Sequence, residues 1–335
     1  ARSGLTTGTS SNVAITAGSA TKLVFSTEPV GGSSGTTWTT QPAVTVEDAS
    51  GNTVTASSAS ISLAINTSPG GGAVLSCTNN PLSATSGVAT FAGCKIIGQA
   101  GSYALSATAT SLTTATSSSF SLTGIAFVQQ VSIPAAAAVS SVSPTLSSGV
   151  TAGDALILVF ADQADNGSAV SSVSGGGVTW EKAVSSGAST TYGVAEVWYG
   201  LDSTGTSGST VITVNLSATT NVQIADVSEW KGIATTGALD TDTSDTGAST
   251  SISAGAITPS ASGELIISDA YLSYANTSQP TPSNGFSSFT QNHGESGYYR
   301  GYGAYLVDGT SSSISTTWTE PGSGDWSAAI AAFKP

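Results

Sequence analysis

Apolar residues return at every second position through one short run after another, with Ser or Thr between them. Ser60-Ile-Ser-Leu-Ala-Ile65 and Ser119-Phe-Ser-Leu-Thr123 are typical. Successive side chains of an extended strand point to opposite faces, so this period makes one face apolar and the other hydroxylated. Gly-rich punctuation separates the runs, and no stretch sustains a helical period. These features predict an all-β fold.

The chain has 335 residues, enough for about two domains that each bury a core. Charge supports a division near residue 123. Residues 1–123 carry three basic and three acidic residues; residues 124–335 carry four basic and seventeen acidic. The net charge of −13 argues against a nucleic-acid partner, which needs Lys and Arg facing phosphates. No apolar run approaches the roughly 20 residues of a membrane-spanning helix. The first residue is Ala1 rather than Met, which fits export after removal of a signal peptide or longer precursor. Asn66, Asn166, Asn215 and Asn276 begin Asn-x-Ser/Thr triplets, but a Ser/Thr-rich chain produces such triplets by chance.

Residues 18–123 contain seven predicted strands: 21–25, 43–47, 60–65, 73–77, 87–91, 102–107 and 119–123. Seven short strands in about a hundred residues suit an immunoglobulin-like sandwich. Asp48-Ala-Ser-Gly-Asn52 supplies a turn between two of them. Lys22-Leu-Val-Phe25, Val44-Thr-Val-Glu-Asp48, Gly87-Val-Ala-Thr-Phe91 and Gly101-Ser-Tyr-Ala-Leu105 resemble the bacterial Ig-like repeats of surface adhesins and invasin-type stalks. The resemblance covers about a third of the chain and implies a spacer without catalytic residues. Cys77 and Cys94 lie close in sequence on neighbouring predicted strands of an exported chain, so a disulfide is expected.

Residues 1–17 contain an echo. Leu5-Thr-Thr-Gly-Thr-Ser-Ser-Asn-Val-Ala-Ile-Thr16 aligns without gaps to residues 112–123, the last strand of the Ig-like module. Three readings follow: a remnant of a preceding repeat, a donor strand for another subunit, or a tail packed on its own chain. Leu5, Val13 and Ile15 are the candidate subunit-contact residues.

Residues 124–335 contain ten or more predicted strands, which imply a larger, jelly-roll-like sandwich. Gly153-Asp-Ala-Leu-Ile-Leu-Val159, Val178-Thr-Trp180, Glu196-Val-Trp-Tyr199 and Gly324–Phe333 resemble a β-sandwich module of secreted bacterial proteins that has no assigned activity. Fold alone does not supply a function.

Reactive side chains are scarce. The single His, His293, lies in a polar stretch without a GxSxG elbow, so no triad is expected. Asp240, Asp242 and Asp245 offer oxygen ligands at short spacing and form a calcium candidate, although the stretch lacks the glycine and terminal glutamate of an EF-hand loop. The alternative is a solvated acidic turn. Asp162 and Asp165 form a second, weaker candidate. Tyr298, Tyr299 and Tyr302 form the candidate ligand-binding run, suited to stacking on sugar rings, whereas Trp180, Trp198, Trp230, Trp318 and Trp326 fall within strand patterns and are expected in the core.

The expected function is non-enzymatic: an extracellular subunit of a surface fibre, filament or adhesin stalk, homo-oligomeric or homopolymeric, with no cofactor beyond the calcium candidate. The alternative is a carbohydrate-binding or adhesive tip whose partners are glycans or host and cell-surface components. A hydrolase needs two carboxylates facing across a cleft, which sequence cannot pair.

Overall fold

The structure, a computed structural model, describes residues 16–69, 73–133, 136–164, 167–273, 280–289, 299–307 and 311–335. It is all-β, with two sandwich units in succession.

In the first unit, the strands Lys22–Thr27, Ala43–Glu47 and Val88–Thr90 form one sheet, adjacent in that order. The facing sheet runs Gly32–Ser33, Phe120–Thr123, Gly101–Thr108, Ser60–Thr67, Leu82–Ser83. This partition is that of an immunoglobulin-like sandwich, in which the first, second and fifth principal strands oppose the third, sixth and seventh. The period-two pattern does the sorting. Leu23 and Phe25 from one sheet, and Ile61, Leu63, Phe120 and Leu122 from the other, turn inward to one core. Trp38 joins them edge-on to Phe120, with ring centroids 5.2 Å apart. All seven predicted strands are present. The short strands at Gly32–Ser33, Leu82–Ser83, Lys95–Ile97 and Ala115–Thr116 are additions, too brief to show a period.

The second unit builds one sheet completely before it begins the other. Its first five principal strands are Ala126–Ile133, Ala155–Asp162, Thr179–Ser185, Val194–Leu201 and Thr213–Lys231. The next five are Leu239–Ile252, Leu265–Ser273, Ser287–Ser288, Tyr299–Val307 and Trp318–Phe333. Within each set the spatial order is first, fifth, second, fourth, third. The repetition extends to detail. A short pair, Thr145–Leu146 with Thr210–Val211, precedes the second and fifth strands of the first half, and the bridge Ile257↔Ile314 holds the same places in the second. Gly153-Asp154 and Gly263-Glu264 introduce the two second strands, with glycine φ angles of 88° and 87°. Trp230-Lys231 and Phe333-Lys334 close the two fifth strands at matching register. The second unit is thus an internal structural repeat, its two halves joined face to face.

Three apolar layers result. Ile157, Val159, Val197 and Trp230 meet Ile267, Tyr271, Val307 and Phe333 between the sheets. Leu156, Leu158 and Phe160 pack outward under Leu146, Val150 and Ile212, and Ile266, Leu272 and Ile330 pack outward under Ile252, Ile257 and Phe286. Central strands covered on both faces read as continuous apolar runs, such as Ala155–Ala161 and Ala328–Phe333. Three strands depart from the sequence pattern. Thr213–Lys231 runs unbroken for 19 residues and Trp318–Phe333 for 16, each through polar stretches that interrupt its apolar pattern. Residues 239–252, read as holding an acidic turn, form a sheet-edge strand whose polar face lacks the apolar alternation that marks strands in sequence.

A β-carbon added at Gly301 would lie 2.7 Å from Ile224 Cγ2 on the facing sheet. Gly301→Ala is therefore expected to cost about 1–3 kcal/mol through overpacking, read as a lower urea midpoint at unchanged m-value. An unaltered midpoint would show that the sheets do not meet there.

Candidate functional site

Several predicted site residues, Leu5, Val13, Ile15, Asp165, His293 and Tyr298, lie outside the described residues. The two described tyrosines of the 298–302 run point to opposite sides of their strand. Tyr302 is buried in the outer core of the second half, stacked 6.2 Å from Trp318, and its hydroxyl donates to Glu320 Oε1 at 2.7 Å. Burial, reinforced by that neighbouring glutamate, pushes the Tyr302 phenol far above its ordinary range. Tyr299 is half-buried on the inner side, stacked 6.2 Å from Tyr271. A surface stacking platform built from Tyr299 and Tyr302 is corrected accordingly: Tyr302 offers no face to a sugar. Trp198, Trp230, Trp318 and Trp326 are buried, as expected, and Trp180 is partly so.

The acidic strand likewise separates its members. Extended geometry puts Asp242 and Asp245 on opposite sides, and the register shifts at Asp240. Asp240 Oδ1 pairs with Lys334 Nζ at 2.7 Å, and both its oxygens accept from Ser260. Burial raises its pKa, but these partners prevail and hold it at about 2. Asp242 and Asp245 are exposed on the sheet edge. Among the described residues, no three His, Cys, Asp or Glu side chains converge as metal ligands. Asp162 is buried, and its carboxylate accepts the Ala164 backbone N–H.

Cys77 and Cys94 are joined. Cys94 is fully buried, its N–H donating to Gln41 Oε1 at 2.7 Å and its carbonyl accepting the Trp38 N–H at 3.1 Å. The bond staples the small pair Val74–Ser76 and Lys95–Ile97 to this fixed point.

Two features of the first unit concern its ends. Its beginning and end are paired in parallel: Leu122 and Thr123 lie against Gly32 and Ser33, and Lys22 bridges Thr113. The bonds are Leu23 N–H to Thr113 O (3.0 Å), Thr113 N–H to Thr21 O (2.9 Å) and Ser34 N–H to Thr123 O (2.9 Å). The second feature is a junction without a linker. Thr123 ends the last strand, and Ile125 already belongs to the inner core of the second unit. The Ala100 N–H donates to Ile125 O at 2.8 Å across the joint. At the opposite approach, Asp48 accepts N–H groups from Asn52, Ser50 and Gly18, with Gly18 at 2.7 Å. These donors, the Asn52 N–H foremost, hold its carboxyl at about 2.

Buried carboxyls form networks that sequence reading did not find, because no motif marks an acid within an apolar run. Glu196 takes Lys182 Nζ (2.5 Å) and Ser185 Oγ (2.9 Å) on one oxygen, and the Val170 N–H and Trp198 Nε1 (both 3.1 Å) on the other. Glu229 accepts from Gln129 and the Thr151 N–H, and also bonds the carboxyl of Asp154. Burial and that carboxylate neighbour raise Asp154 to about 6, against the pull of Lys231. Asp226 and Asp269 lie between the two sheets. The chain matches no protein-family model and no curated protein.

Tyr302→Phe removes a donor from a buried carboxylate and is expected to cost about 1–3 kcal/mol of stability in thermal or urea unfolding. Full stability combined with loss of binding on a glycan array would return Tyr302 to a ligand role.

Proposed function

We propose that the chain is a non-enzymatic extracellular structural protein, part of a surface fibre or adhesin stalk, whose work is to bear load along its length. The observation that carries this reading is the parallel pairing of the first unit's opening and closing segments. Force applied to its two ends runs along those bonds, so they must break together rather than one after another. The linkerless joint at Thr123-Gly124-Ile125 passes the same force into the core of the next unit instead of into slack chain. A disulfide suits an oxidising setting outside the cytoplasm. Among the described residues, no helix is long and apolar enough to cross a membrane. Oligomerisation or polymer growth through residues 5–16 remains part of this proposal, with Val13 and Ile15 as its contact residues.

Single-molecule stretching between the chain ends tests it. Thr113→Pro removes one clamp donor and is expected to lower the force at which the first unit yields. Equal forces in variant and parent would defeat the load-bearing reading. Reduction of Cys77–Cys94, which are 17 residues apart in sequence, should lengthen the unfolded first unit. At about 3.3–3.6 Å per extended residue, less the 3.9 Å between the two Cα atoms, the gain is about 55 Å.

A further inference from the structure

Asp226 and Asp269 come from different halves of the second unit and approach each other inside it. Asp226 lies on the fifth strand of the first half, paired with Val159 and Ser132. Asp269 lies on the second strand of the other half, paired with Ala329 and Gly303. A β-carbon built at Gly303 would stand 3.0 Å from Val159 Cγ2 and 3.6 Å from Asp226 Oδ2. The Asp226 carboxyl thus lies at van der Waals distance from the Gly303 position, beside the strand that bears Asp269. Asp226 is 3% exposed and Asp269 fully buried.

Among the described residues, no counter-charge is paired with either aspartate. Oδ1 of each residue has no hydrogen-bond partner. Asp226 bonds the Ser132 hydroxyl, and Asp269 accepts the backbone N–H groups of Glu196, at 3.1 Å, and Ala270. Val159, Gly303 and Ala329 contribute nothing ionisable. The charges acting on Asp269 are Asp226 and Glu196, both acidic, and the Glu196 carboxylate is already paired with Lys182. An ionised carboxylate in such a place suffers desolvation without compensation, and two of them repel.

We propose that protons close this interface: Asp226 and Asp269 are neutral acids in the folded second unit, and the contact between its two halves loosens as they ionise. In the unfolded chain both acids titrate near pH 4. Burial lifts Asp226 to about 7 and Asp269 well above its ordinary value. The folded state thus holds more protons than the unfolded state above about pH 4. The stabilisation is complete below that pH. It is lost as pH rises through about 7 for Asp226 and through the raised pKa of Asp269. The unit is a device that is tightest in acid surroundings.

The test is denaturant unfolding of the full chain from pH 4 to 9, for wild type and for Asp226→Asn combined with Asp269→Asn. The unfolding constant of wild type should rise by up to about tenfold per pH unit for each carboxyl, and the double variant should rise less steeply, keeping only the part that Asp154 and the other raised carboxyls contribute. The same pH dependence in both proteins would overturn the proposal. Should the double variant not fold, infrared spectra of wild type at pH 7, above the range of Asp154, decide the matter. A protonated-carboxyl band present when folded and lost on unfolding supports the closure, and no such band refutes it.

Discussion

The second unit depends on the contact between its two inner sheet faces. Ile157, Val159, Val197 and Trp230 would be open to water if the first half stood alone, and Ile267, Tyr271, Val307 and Phe333 if the second did. Each such side chain gains roughly 1.5–3 kcal/mol from full burial, so the halves hold each other in place. Everything else in the unit follows from this contact. Alanines at 329 and 331 and glycines at 301 and 303 let the sheets come close, and the outer faces then need covers of their own.

The first unit solves a smaller version of the same problem with one core and a covalent staple. Its balanced charge and hydroxylated outer faces contrast with the acidic second unit, and the boundary between them is a single glycine, Gly124, at φ 136°. A joint so short fixes direction as well as distance, because Ile125 and the Ala100–Ile125 hydrogen bond tie both sides of it. The mechanical proposal rests on this economy of chain.

Much of the architecture was legible in the residues. The alternation of Leu23 with Phe25, and of Phe120 with Leu122, located strands of the first unit, and close spacing on neighbouring predicted strands paired the two cysteines. Legibility failed where the period disappears. Leu239–Ile252 is a polar edge strand held by its neighbour's backbone, and edge strands of this kind show charge instead of alternation. The structural repeat is faint in sequence because its halves share strand order and register more than residues: Gly153-Asp154-Ala-Leu-Ile157 and Gly263-Glu264-Leu-Ile-Ile267 are its clearest written trace. The tyrosine run misled for a related reason. Within a strand, neighbours three apart face opposite ways, so Tyr299 and Tyr302 never shared a surface.

Register shows what fusion of two such halves made available. At one level of the sandwich, the second and fifth strands carry Val159 and Asp226 in the first half, but Asp269 and Ala329 in the second. In a twofold dimer of identical subunits any acid would occur in duplicate, at mirrored places about the axis. Two halves in one polypeptide need not carry the same residue, so Val159 stands where its counterpart is Asp269. An unlike acid pair of this kind is open to a tandem chain and closed to a homodimer.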